Sequence, residues 1–350
     1  MTPAEARARF PVLERRAYLN AGTAGPLSLG THRAMVEWEE RALTGGRGHG
    51  DYFRDGGELS VRLLVRLGAL LTVPVDHLLL TTSTTEGCNL VVTGLRLGPD
   101  DEVVITDAEH PGLEAPVRAS RAGVRVAKVL GRPAEEVVAA VLAEVTPRTR
   151  LIALSHVLWL NGQVLPLAEI RRATGVPLLV DGAQSAGAIP VQAAEADFYA
   201  VSGQKWLCGP ELTGALYVAD PERLHPPMAG YMAMHGDGAQ RLVFSHHPAS
   251  ARAGLLAAIE ERPEWAFARG AEMAQRCRAA LEEAGLPVHT PPGDGTIVSI
   301  TPPGVPETVV ARCLERDVLV RSLPNGWLRI SCGWWTSDED ISRLVDALRD

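Results

Sequence analysis

Seven short apolar runs, most of them separated by helical patterns, dominate the first two thirds of the chain. They are HLLLTT (77–82), EVVIT (102–106), VRVAKVL (124–130), RLIALS (150–155), VPLLVD (176–181), DFYAVS (197–202) and TGALYVA (213–219). Helical stretches at 85–95, 111–121, 133–144 and 166–174 lie between them. Continuous apolar runs mean strands buried on both faces, and intervening helices mean a mostly parallel sheet. The expected class is therefore α/β with a seven-stranded sheet. In such sheets ligands bind beyond the carboxyl ends of the strands, so the chemistry is sought there.

A chain of 350 residues is long for one core, and two domains are expected. The Gly-, Met- and His-rich stretch around 225–250 reads as a linker or active-site loop. Beyond it come a long helix (250–285), two strand-like segments (295–300 and 327–331) and helices at 306–316 and 337–349. These compose a smaller α+β unit. The glycine-rich GGRGHG (45–50) follows no strand and reads as a loop.

A net charge of −8 argues against nucleic acid, which needs a basic face. No run of eighteen apolar residues suggests a membrane span, and MTPAEARARF lacks a secretory apolar core, so a cytoplasmic location is expected. The five cysteines (88, 208, 277, 313, 332) are scattered and read as reduced thiols. The histidines show no metal spacing: His246 and His247 are adjacent and no HExxH occurs.

Only two of the 34 basic residues are lysines, Lys128 and Lys205. Arginine cannot replace lysine where an amine must lose its proton and form a Schiff base. Lys128, in VRVAKVL, reads as a surface residue. Lys205 sits in Ser202-Gly203-Gln204-Lys205-Trp206-Leu207-Cys208-Gly209-Pro210, past a strand end. That apolar, tightly turned setting desolvates an ammonium and favours the nucleophilic amine.

Other strand ends supply what such an amine needs. Past HLLLTT, Ser83, Thr84 and Thr85 open a helix, where hydroxyls and backbone N–H groups favour an anion. Simple N-capping would use the same residues. Past EVVIT stands His110, able to stack on an aromatic cofactor or act as acid or base, or to be structural. Past VPLLV, Asp181 leaves a buried strand and wants a cation; the pyridinium nitrogen of pyridoxal 5′-phosphate (PLP) is one. Together these are a phosphate site, a stacking ring, a carboxylate and an amine.

The stretches YLNAGTAGPLS (18–28), TTSTTEGCNLV (81–91), DAEHPG (107–112), SHVLWLNGQVLPL (155–167), VDGAQSAGAIPV (180–191), DFYAVSGQKWLCGPELTGALYV (197–218) and WLRIS (327–331) carry a resemblance. In order and spacing the sequence resembles the class V aminotransferase family of fold type I PLP enzymes. That resemblance implies a PLP-binding large domain (21–245), a small C-terminal domain (246–350) and an N-terminal segment (1–20) packed on the latter. It implies that Lys205 forms the internal aldimine and shuttles the Cα proton. Asp181 would pair with the ring nitrogen, His110 stack on the ring and Gln184 bond the phenolic oxygen. Thr84, Thr85 and Ser202 would hold the phosphate, and Arg329 would clamp the substrate carboxylate. A homodimer acting on a small amino acid is also implied.

Three positions depart from the family pattern. No cysteine occupies 320–326, where desulfurases carry a catalytic thiol. Gln204 precedes the lysine where a phosphate-binding histidine is common, and keeps a neutral hydrogen-bond donor. Trp159 stands where a cofactor-contacting asparagine is usual; Asn161, two residues on, would share its face if the strand persisted. A partner-subunit phosphate contact is sought near Ser245-His246. The missing cysteine favours an aminotransferase forming an external aldimine, with C–S lyase or epimerase chemistry as the alternative. A catalytically idle PLP-fold protein fits poorly with Lys205, Asp181, His110 and Arg329 together, and a nicotinamide enzyme lacks its glycine fingerprint.

Overall fold

The computed structural model describes residues 1–245, 247–293 and 295–349. His246, the proposed start of the small domain and part of the expected partner contact, lies outside the described residues.

The strands in chain order are β1 (Ala17–Tyr18), β2 (Leu78–Thr81), β3 (Glu102–Thr106), β4 (Gly123–Ala127), β5 (Thr149–Ser155), β6 (Leu178–Asp181), β7 (Phe198–Ser202), β8 (Gly214–Val218), β9 (Ile297–Ile300), β10 (Val318–Leu319), β11 (Arg321–Ser322) and β12 (Leu328–Ser331). The helices are α1 (Pro3–Arg7), α2 (Val12–Arg15), α3 (Leu29–Gly45), α4 (Gly50–Leu71), α5 (Thr84–Gly94), α6 (Pro111–Ala119), α7 (Ala134–Ala143), α8 (Leu167–Thr174), α9 (Tyr231–His235), α10 (Ala249–Glu260), α11 (Ala266–Glu283), α12 (Pro306–Glu315) and α13 (Asp338–Arg349).

Strands β2 to β8 form one seven-stranded sheet in the order β2-β8-β7-β6-β5-β3-β4. Only β8 runs against its neighbours, so the sheet is mostly parallel and the molecule is an α/β protein. Alternate side chains leave opposite faces. Leu79, Val103, Leu151, Leu179 and Phe198 pack with α5 and α6 on one side. Leu78, Val104, Ile152, Leu178 and Tyr199 pack with residues of α4, α7 and α8 on the other. Both faces being dry explains why the strands read as unbroken apolar runs.

A second core gathers Val298 and Ile300, Leu328 and Ile330, and apolar residues of α11, α12 and α13. Ala17 and Leu19 belong to it, because β1 pairs in parallel with β10. The expected single helix over 250–285 is two, α10 and α11. Pro263 lacks the N–H that would continue the ladder and pushes Arg262 away from helical geometry. α10 then packs against α3 and α4, whereas α11 packs against β9 and α13. The 225–250 stretch is less regular, holding the five-residue α9 and a 3-10 turn over Gly238–Leu242.

Candidate active site

The residues singled out in the sequence converge where the parallel strands end. Past β2, Ser83 caps α5, its Oγ accepting the Glu86 N–H (3.1 Å). The first N–H groups of a helix have no intrahelical acceptor and face its positive end. Register brings β7 alongside: Gly214 of β8 pairs with Ser202 on one side and Thr81 on the other. Ser202 therefore stands two strands from the start of α5, with its hydroxyl toward the Gln204 amide oxygen (3.5 Å). Thr84 is buried and Thr85 exposed, so the cradle opens outward. Gly87 sets how near α5 comes. A Cβ there would lie 2.9 Å from Ala200 Cβ on β7.

Asp181 ends β6, is 4% exposed, and takes its side-chain hydrogen bond from the Ala183 N–H (2.8 Å). Burial raises its carboxyl above the usual range, while Lys205 and that N–H pull the other way. Lys205 follows β7 in a loop closed by the Cys208 N–H on its carbonyl (3.0 Å) and by Cys208 in the left-handed region (φ 56). Desolvation draws its ammonium down to about 8; Asp181 opposes this, and Arg329 and Arg321 add to it. Lys128, by contrast, is exposed.

His110 caps α6, its Nδ1 accepting the Gly112 N–H (3.0 Å), which leaves the ring proton on Nε2. Burial first, then the charges of Lys205, Arg321 and Arg329, lower it to about 4. Gln184 is engaged at both ends: its oxygen accepts from the Trp206 indole (2.9 Å), and one Nε2 hydrogen goes to the Gly22 carbonyl (2.9 Å). One N–H remains for a ligand.

Arg329, on β12, is 1% exposed. Its Nη1 reaches the Trp159 carbonyl (3.4 Å) and its Nη2 the Thr23 hydroxyl (3.2 Å), while Nε has no partner. Burial pulls the guanidinium down to about 9, with Arg321 adding to the effect. No carboxylate among the described residues pairs with it. A buried guanidinium left so is chemically suited to an anion.

Residues 20–25 close over this end. A Cβ on Gly22 would lie 2.9 Å from Arg329 Cζ. Gly25 N–H donates to the Gln204 carbonyl (2.8 Å), and Thr23 Oγ1 also accepts from Arg321 (3.0 Å). Behind the site, Glu109 accepts from Thr106 (2.5 Å) and Ser155 (2.6 Å) and is pushed up to about 7 by burial. His156 bonds the Tyr199 hydroxyl (2.7 Å), which meets Ser185 (2.6 Å).

The strand expected to carry Asn161 on the Trp159 face does not persist. The chain turns at 158–163, with Gly162 N–H on the Leu158 carbonyl (2.8 Å) and Gly162 in the left-handed region (φ 75). Asn161 is buried, its oxygen accepting the Gln163 N–H (3.1 Å) and its Nδ2 unpartnered. Trp159 is the residue beside His110, with ring centroids 5.0 Å apart and planes at 83°. Sequence reasoning assigned nothing to Thr23, Gly22, Glu109 or Arg321. The AGTAG stretch and the arginine two residues past a short strand were the available signals.

The donor set fits PLP. A buried carboxylate near a desolvated lysine, and a helix start on the same sheet edge as Ser202, suit its ring nitrogen, aldehyde and phosphate, and the unmatched guanidinium suits a substrate carboxylate. Among the described residues no His, Cys, Asp and Glu group could hold a metal, and no helix is long and apolar enough to cross a membrane.

Comparison with known proteins agrees. The aminotransferase class-V family model matches residues 65–260. Isopenicillin N epimerase of Streptomyces clavuligerus is 31% identical over 98% of this chain and 97% of its own. A probable cysteine desulfurase of Methanothermobacter thermautotrophicus is 31% identical over 73% of this chain and 66% of its own. The cystine C–S lyase C-DES, solved with its product cysteine persulfide, superposes with TM-score 0.91 at 27% identity, covering 97% of this chain and 99% of that one. C-DES has also been solved as a variant with glycine covalently linked to PLP. The chain belongs to the class-V aminotransferase family and is a PLP-dependent enzyme.

Proposed function

We propose that the enzyme removes the Cα proton of a small α-amino acid, with Lys205 as base and Arg329 as carboxylate anchor. The observation that carries this is the buried Arg329, with no carboxylate among the described residues to meet it, in the same site as an amine drawn down to about 8.

Bound PLP supplies an aldehyde for the substrate amine and a ring that takes up the electron pair left at Cα. The protein's residues do the rest. Ser83, Thr84 and Thr85, with Ser202 and Gln204, receive the phosphate. Asp181 holds a proton on the ring nitrogen, Gln184 donates its spare N–H to the phenolic oxygen, and neutral His110 covers the ring. Arg329 orients the substrate so that its Cα–H faces the lysine, and residues 20–25 keep water out. Lys205 takes the proton and can return it to a second position on the same face.

Aminotransferase-type chemistry needs only that one base. Net epimerisation needs a proton from the other face, and His110, lowered to about 4 with Nδ1 engaged, is a poor source. The C–S lyase reading has support in the full-length likeness to C-DES. A persulfide relay through the protein has none, since all five thiols are buried and Cys208 is pushed up to about 12. A homodimer in the cytoplasm completes the proposal; exposed Phe53, Tyr231 and Phe244 offer an apolar face to a second copy.

The test is to incubate the PLP-loaded protein with single amino acids, without a keto-acid acceptor, and follow the visible spectrum. Conversion to pyridoxamine phosphate supports the aminotransferase. Release of pyruvate or sulfide with the spectrum retained replaces it with the lyase, and inversion at Cα with the epimerase.

A further inference from the structure

The loop at 158–163 holds a large side chain beside His110, on a residue whose main-chain carbonyl meets Arg329, and no role above uses it. Trp159 is 8% exposed, and its indole Nε1 is buried without an acceptor. Other indoles of the protein find one: Trp206 on Gln184 (2.9 Å), Trp335 on the Tyr18 carbonyl (3.2 Å) and Trp265 on the Met1 carbonyl (3.0 Å). Trp38, on α3, shares the unmatched state but lies half-buried on a helix remote from the strand ends. Buried donors are almost always matched, and the exceptions in an enzyme concentrate where a ligand completes them.

The surroundings of Trp159 say which ligand. Its ring meets His110 edge-on at 5.0 Å, and its carbonyl lies 3.4 Å from Arg329 Nη1. Arg329 also carries an unmatched buried donor, Nε. Two unfilled N–H groups from different elements thus belong to residues in direct contact, one a full positive charge. The acceptor that answers both is an anion with two oxygens. The turn keeps Trp159 in place: Leu158 N–H bonds the Gln163 carbonyl (2.9 Å), and Gly162 packs directly on Ile297 of β9.

We propose that Trp159 is a substrate-binding residue whose indole N–H donates to the same carboxylate that Arg329 anchors. The claim rests on the reading of Arg329 given above. It places the amino-acid carboxylate between β12 and the 158–163 turn, with the indole face walling the substrate on the His110 side.

The experiment measures dissociation constants by calorimetry on the PLP-loaded protein. One probe is 2-aminoisobutyrate, whose Cα has no hydrogen to lose. The other is isopropylamine, the same amine without the carboxylate. Wild type should favour the acid, and Arg329→Ala should abolish that preference. Trp159→Phe keeps the ring and deletes the N–H; it should cut the preference about tenfold, as for a hydrogen bond to a charged group, and leave isopropylamine unchanged. Trp159→His returns a ring N–H and should recover part of the loss, which also serves if the Phe variant fails to fold. If Trp159→Phe keeps the full preference while Arg329→Ala loses it, the Trp159 assignment is overturned and the Arg329 reading stands. Equal weakening of both probes reduces Trp159 to packing and overturns it too. If Arg329→Ala keeps the preference, the carboxylate reading beneath both fails.

Discussion

An amine that must act as nucleophile and base near neutrality cannot keep the ordinary pKa of lysine. Burial supplies the correction at Lys205 and Asp181 limits it, leaving about 8. The sign follows directly: the charged form is disfavoured, so the reactive amine fraction grows as pH rises through about 8 instead of 10.5. Covalent PLP uptake by the apoprotein should therefore accelerate through about pH 8 and level off above it. A rate still climbing at pH 10 would count against the assignment. Lys205→Ala should lose the visible band of the covalently held cofactor, checked by absorbance after gel filtration. Arg329→Ala should lower kcat/KM for amino acids by about 2–3 kcal/mol, the loss of a charge-assisted pair, and Arg329→Lys should recover only part of it, because the fork is gone.

Single elements show what sequence can and cannot carry. The parallel strands were legible because burial on both faces leaves an unbroken apolar run, and the placing of Lys205, Asp181 and His110 was legible because each lies at or within a few residues of the end of such a run. The turn at 158–163 was not, since SHVLWLNG continues a strand-like pattern and only Gly162 hints at the reversal. The break at Pro263 was visible as a residue but outweighed by the helical periodicity around it. Close approach of elements left even less trace. Gly87 reads as an ordinary helical glycine, yet it lets α5 touch β7. Gly87→Ala should destabilise by about 1–3 kcal/mol through overpacking, measured by urea unfolding. Because the start of α5 is the proposed phosphate cradle, PLP affinity should fall with it.

At the scale of the whole molecule, pairings between residues far apart in sequence hold the site together, and no local pattern announces those. β1 pairs with β10, Asn20 bridges to Ser331, and Thr23 meets Arg329 across 306 positions. Arg7 of α1 ties the N-terminal segment to α13 through Asp340 (2.7 Å), which is 1% exposed. Arg7→Ala should cost about 1.5–3 kcal/mol by stranding part of a buried carboxylate's hydrogen bonding, read as a lower urea midpoint with an unchanged slope.

The closure of residues 20–25 over Arg329 also bears on how the enzyme is made. A ribosome that has released β2 to β8 has delivered the lysine, the ring carboxylate and the phosphate cradle. Residues 20–25, although synthesised earliest, find Gln184 and Gln204 first and gain Arg329 only when β12 emerges. On the proposed roles, every group assigned to the cofactor is thus synthesised before the arginine assigned to the substrate carboxylate.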